Sequence, residues 1–325
     1  MNDTCHTDEK DNSFKVWAGF YCFNNIDQKK KQIVLFDERQ EAEHMKTVNT
    51  VPEILSTFPD SHFDKQRWRD YAGAIHPELP KLCEEDTAKY EFEKDVLPVI
   101  ETVLGEPERI RNLGSRFEHV VAELQERLPV LFDKECEVTV VLYLGLCNAA
   151  GWVTFLGGKK VVLLGVEKVL ELNWDSEEKL KALLYHEIGH IWHEIYGNLE
   201  FPAHTQSRQS MLQLWQEGIA MVCEQILSKD ERYYHQDENE WLAWCQEQEL
   251  MIKEEYGRRL EQEESTQDFF GDWCDFCGYS DVGYYLGCRF VRWMMKENDL
   301  REIAAMGAAE LLEKYTRFAG KELPA

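Results

Sequence analysis

The chain has 325 residues and a formal net charge of −25, with 44% hydrophobic and 12% aromatic residues. That composition predicts a well-packed protein of one or two domains and excludes an intrinsically disordered chain. The acidic surface opposes phosphate backbones and anionic lipid, so neither nucleic acid nor a membrane is an expected partner.

Residues 1–13 are polar and carry no apolar segment, and no stretch approaches the ~20 apolar residues of a membrane span. The sequence therefore predicts a cytoplasmic protein whose cysteines are reduced thiols. Residues 14–23 and 32–36 read as strands joined by a turn over 24–31. Helical segments are expected over 53–58, 65–74 and 87–104. We read 1–131 as an N-terminal mixed α/β region without a recognised motif. The E-x-x-H of Glu41 and His44 and the basic trio at 29–31 carry no functional reading.

A longer amphipathic helix is expected over 106–128, and an apolar strand over 138–144. Strands over 152–155 and 159–164 flank Gly157-Gly158, a two-residue hairpin signal. Everything after Ser176 is expected to be helical. The predicted fold class is α+β: a small mixed or antiparallel sheet followed by a mainly helical part, with 132–325 as the second domain. An exposed edge of that sheet would suit an added substrate strand. There is no internal repeat.

The run Leu184-Tyr185-His186-Glu187-Ile188-Gly189-His190-Ile191 spells H-E-x-x-H. Asp175 and Ser176 offer N-cap oxygens, Glu178 completes a D-x-x-E capping box, and Gly197 supplies a stop. The two histidines fall mid-helix on one face, about one turn apart, where two imidazoles can grip one Zn²⁺. Glu187 lies about 100° round the helix from His186, so its carboxylate can reach a metal-activated water without joining the metal. Gly189 weakens the helix by about 1 kcal/mol, which signals close packing against a neighbour.

The third ligand must come from elsewhere. In a metzincin, His193 would be Gly and Tyr196 would be His, so that pattern is excluded. The next helix, expected over 210–228, carries Glu217 among apolar residues, followed by Gly218 and Ala220. A carboxylate there is costly unless paired or coordinated, and small neighbours would let this helix approach the first. Glu224, Glu194 and His193 are rival ligands. Glu224 shares a face with Glu217 and would suit a carboxylate holding a ligand histidine, while His193 and Glu194 read as a solvated or hydrogen-bonded pair near the helix end.

With H-E-x-x-H followed by Glu217-Gly218-Ile219-Ala220, the chain resembles the gluzincins, whose ligand helix often reads E-G-x-A. The likeness covers about residues 137–318. It is greatest to bacterial families described as predicted zinc-dependent proteases and more distant to aminopeptidase N. It implies a zincin-like catalytic domain, one Zn²⁺ on His186, His190 and Glu217, and Glu187 as general base. Tyr284-Tyr285-Leu286-Gly287 is similar to the family's Y-x-x-G segment, which implies that Tyr284 hydrogen-bonds the developing oxyanion. Tyr285 is the neighbouring choice, and both are also readable as core aromatics. Residues 148–155 lack the G-x-M-E-N carboxylate of the aminopeptidases, so a free amino terminus is not the implied recognition element.

The expected activity is zinc metallopeptidase, with a peptide or protein as substrate. A non-catalytic zinc- or peptide-binding protein is the alternative, and a di-iron carboxylate protein, built on the E-x-x-H of Glu187 and His190, a further one. Cys274-Asp275-Phe276-Cys277 is a lone C-x-x-C and reads as ordinary thiols.

Overall fold

A computed structural model describes residues 45–320 except 135, 199–201 and 272–273. The strands and turn expected within 14–36, the trio at 29–31 and the Glu41/His44 pair lie outside the described residues. The described chain divides into two compact units, 45–187 and 188–320. Among these residues no helix is long and apolar enough to cross a membrane.

The first unit opens with β1 (Met45–Asn49), then helices α1 (Val51–Thr57), α2 (Lys65–Ile75), α3 (Leu79–Thr87), α4 (Leu97–Leu104) and α5 (Pro107–Arg127). Strands β2 (Val138–Tyr143), β3 (Gly151–Leu156) and β4 (Lys159–Gly165) follow, then the short α6 (Val166–Glu171). The sheet order is β1-β2-β4-β3. The first three strands are parallel, and β3 runs antiparallel to β4. Every residue of β2 is buried, as an almost wholly apolar run flanked by parallel neighbours should be. Edge strand β3 is mostly half-exposed. Gly157 and Gly158, at φ 59° and 77°, close the β3–β4 hairpin, the backbone a tight two-residue turn demands.

This unit departs from the sequence expectation in three ways. The helix expected over 87–104 is broken: α3 ends at Thr87, a π turn spans Phe92–Val96, and α4 starts at Leu97. Residues 88–91 separate α3 from that π turn, which runs directly into α4; Pro98, in the first turn of α4, has no N–H to donate to residue 94. Neither α3 nor α6 was expected. Finally, β1 was not expected, and it pairs with β2 in register from Met45↔Val138. The helix over α5 was legible: Ile110, Leu113, Phe117, Val120, Val121 and Leu124 form its buried stripe.

Helix α7 (Glu177–Tyr196) contains the last residues of the first unit and the first of the second. The second unit continues with α8 (Gln206–Ser228), α9 (Trp241–Glu247), α10 (Glu249–Gln262), α11 (Val282–Met294), α12 (Leu300–Ala304) and α13 (Ala308–Phe318). Helix α8 starts one turn before the expected Ser210, because Thr205 caps it: its Oγ1 accepts the Arg208 N–H. The expectation of helix throughout fails at 263–281, where Phe276 and Tyr279 form an isolated β-bridge. At the centre lies Trp215 on α8, fully buried, its indole N–H donating to the Ile303 carbonyl at 3.2 Å.

Candidate metal centre

Helix α7 is capped by Ser176, whose Oγ accepts the Lys179 N–H at 3.2 Å. Asp175, expected to share that capping role, instead takes Arg109 at 2.6 Å and Arg116 at 3.0 Å from α5. The helix then buries Leu180, Leu183, Leu184, Ile188 and Ile191. That apolar stripe holds the rod in place and fixes where its polar residues point. His186 and Glu187 are buried, at 4% and 6% exposure, while the side chains of His190 and Glu217 stay partly open, at 15% and 18%.

The ligand atoms of His186, His190 and Glu217 lie within 4.8 Å of one another. His190 Nε2 stands 3.4 Å from Glu217 Oε2. Two ligands each ~2.1 Å from a tetrahedral ion are about 3.4 Å apart. The pair is therefore spaced for shared coordination rather than for a short charge-assisted hydrogen bond. Two imidazoles and a carboxylate so placed could hold a metal ion.

What allows α8 so close is Gly189. A methyl there would sit 2.7 Å from Ala220 Cα and 2.9 Å from its carbonyl oxygen. The expected small-residue contact is thus made by Ala220. Gly218 faces the other way, toward α11, where a methyl would meet Gly287 O at 2.4 Å. Replacing Gly189 by Val should force α8 outward. We expect overpacking to destabilise the protein by about 1–3 kcal/mol, read as a lowered thermal midpoint; an unchanged midpoint would refute the close contact.

A second group of metal-capable side chains, His186, Glu224 and His235, also lies within 4.8 Å. Here His235 Nδ1 donates to the Glu224 oxygens at 2.9 and 3.1 Å. The Gln236 amide donates to His235 Nε2 at 2.9 Å. These are hydrogen-bond distances, and Glu224 is completely buried, leaving no open position for water or substrate. Glu224 is therefore engaged by His235, a histidine outside the first group. The sequence reading does not single out His235. A histidine in an irregular loop has no periodic spacing to betray it.

Glu187 sits at the start of β3. A methyl on Gly151 would lie 2.8 Å from Glu187 Oε1 and 3.0 Å from its Cγ, so bare backbone forms the wall beside this carboxylate. His193, expected to be solvated or hydrogen-bonded, is buried, hydrogen-bonded to the Ala304 backbone and edge-on to Trp215 at 4.3 Å between ring centroids. Burial above all, helped by the neighbouring His190, pushes its pKa down to about 3, so it is a neutral core residue.

The two tyrosines are distinguishable. Tyr285 is buried, and its hydroxyl donates to Glu249 at 2.6 Å. Tyr284 is half-buried, with its ring 6.3 Å from His235 and 5.7 Å from Phe270. Of the two, Tyr284 faces the Glu224–His235 pair. The C-x-x-C takes no part: Cys274 Sγ donates to the carbonyls of Gln267 and Phe270, and neither cysteine joins a metal-capable group among the described residues.

In comparisons with known proteins, no family model, no curated protein and no solved structure matches this chain.

Proposed function

We propose that the protein is a zinc-dependent hydrolase that cleaves peptide bonds. The observation that carries this reading is the convergence of His186, His190 and Glu217, with His190 and Glu217 at coordination spacing, 3.4 Å. A zinc ion held by these three would lower the pKa of a water and polarise a scissile carbonyl. Glu187, next to His186 on α7, accepts the proton of that water and returns it to the leaving amine. Tyr284 donates its phenol hydrogen to the oxyanion as charge develops. An extended peptide suits the open edge of β3, where backbone groups on one side have no strand neighbour among the described residues.

A di-iron reading needs a second E-x-x-H on a facing helix, and neither metal-capable group among the described residues contains one. A non-catalytic zinc module needs no carboxylate beside its ligands, whereas Glu187 is buried and walled in at that place.

The test is elemental analysis joined to a cleavage screen on mixed peptides. We expect one zinc per chain, cleavage abolished by chelation, and activity restored by added zinc. Full zinc without cleavage of any peptide would overturn the hydrolase, and two irons per chain would overturn the zinc.

A further inference from the structure

Glu167 is a fully buried carboxylate that the proposed mechanism does not use. It stands in the first turn of α6, just beyond the end of β4. Its two oxygens accept the backbone N–H groups of Gly145, at 2.8 Å, and Cys147, at 3.0 Å. Both belong to the loop over 144–150, which joins β2 to β3.

That loop has an unusual task. Because β4 lies between β2 and β3, the chain must cross the end of β4, about 10 Å or two strand spacings, before pairing again. It passes directly over Gly165, where a methyl would stand 2.6 Å from the Ala149 carbonyl oxygen. A polar segment buried in this way needs every group satisfied, and this one is tied down along its length. Leu144 N–H donates to the Tyr71 hydroxyl, and Leu144 O accepts the Trp68 indole N–H. Leu146 N–H donates to Asn148 Oδ1, and Leu146 O accepts the Thr87 hydroxyl. Glu167 is the carboxylate that holds two of the loop's own amides. The loop ends at Gly151, whose Cα abuts the Glu187 carboxylate.

We propose that Glu167 is a positioning residue for the reaction: by holding the amides of Gly145 and Cys147 it fixes where β3 begins, and so where the Gly151 wall meets Glu187. This rests on the reading of Glu187 as general base. An ionised carboxylate offers acceptors to both amides, whereas a carboxylic acid turns a hydroxyl hydrogen toward one of them. Burial lifts the Glu167 pKa to about 7, against the opposing pull of its backbone hydrogen bonds. The groups facing it are Tyr143 from β2, Tyr71 from α2, Cys83 from α3, Cys147 from the loop and Lys168 on its own helix. Only Lys168 brings positive charge. The clamp is thus complete above pH 7 and loses one amide below it.

The experiment uses the full chain loaded with zinc and compares wild type, Glu167→Gln and Glu167→Asp. Zinc content, kcat and KM across pH, and hydrogen exchange at the Gly145 and Cys147 amides are measured on each. Glu167→Gln should keep its zinc and lose kcat by about 10- to 100-fold, as expected when a reacting group is displaced by about 1 Å. KM should change little. The wild-type kcat should decline below pH 7, and that inflection should vanish in Glu167→Gln. Exchange at both amides should quicken in Glu167→Gln and recover in part in Glu167→Asp, which also serves if the glutamine variant does not fold. Wild-type kcat with an unaltered pH profile in the variants would overturn the proposal. Should the zinc-loaded wild type cleave no peptide, the hydrolase reading fails on its own, and unchanged exchange at the two amides would overturn the clamp independently.

Discussion

Glu187→Gln is expected to leave zinc content unchanged while peptide cleavage falls by about 10²- to 10⁴-fold, the usual contribution of a positioned proton-transfer group. The amide is nearly the same size as the carboxylate, so it fits the space bounded by Gly151 and Leu183 without overpacking. What it loses is the ability to take a proton. The proposed metal set is untouched, because it consists of His186, His190 and Glu217. Steady-state kinetics and elemental analysis on the same preparation decide the matter. Activity within a few-fold of wild type would remove Glu187 from the mechanism, and zinc loss would make it a ligand or a structural support instead.

Glu217→Ala should do the opposite and strip the metal. Glu217 is the only ligand that α8 supplies to the group, and removing it leaves two histidines one turn apart. Outer residues that merely orient a ligand cost 10- to 100-fold in metal affinity when removed, so loss of a ligand should exceed about 100-fold. Purified Glu217→Ala is expected to hold well under one zinc per chain and to cleave nothing. The fold should survive, because the Glu217 side chain is partly exposed and the α8 core comprises Leu214, Trp215, Ile219 and Val222. Titration with zinc and a circular dichroism spectrum check both halves. Wild-type zinc affinity in this variant would transfer the role to another carboxylate, with Glu224 next in line.

Much of this architecture is legible in the residues alone, and the legible parts share a cause. Strands β2 and β4, the long helix α5 and the rods α7 and α8 carry strong periodic or uniform burial patterns, which the sequence displays directly. The H-E-x-x-H and Glu217 convergence is legible because fixed spacing on a helix translates into direction. Legibility fails where long-range contacts decide. The side-by-side pairing of β1 with β2 and the use of Asp175 by two arginines depend on partners far along the chain. The same holds for His235, which reaches Glu224 from a loop, and for Gly218, whose neighbour proves to be α11 rather than α7. Tyr285 is set apart from Tyr284 only by Glu249, an acid that no local pattern links to it.

The meeting of Gly218 and Gly287 has a further consequence. Where two helices touch through their main chains, the gap between them is dictated by bare backbone, not by whichever side chains fill the surrounding interior. Apart from Val291, whose side chain also reaches Gly218, leucines and valines nearby should be exchangeable for one another with little effect on the spacing of the two rods. The proposed chemistry is thereby insulated from most drift in the hydrophobic interior, and vulnerable at two positions where even a single added carbon has nowhere to go.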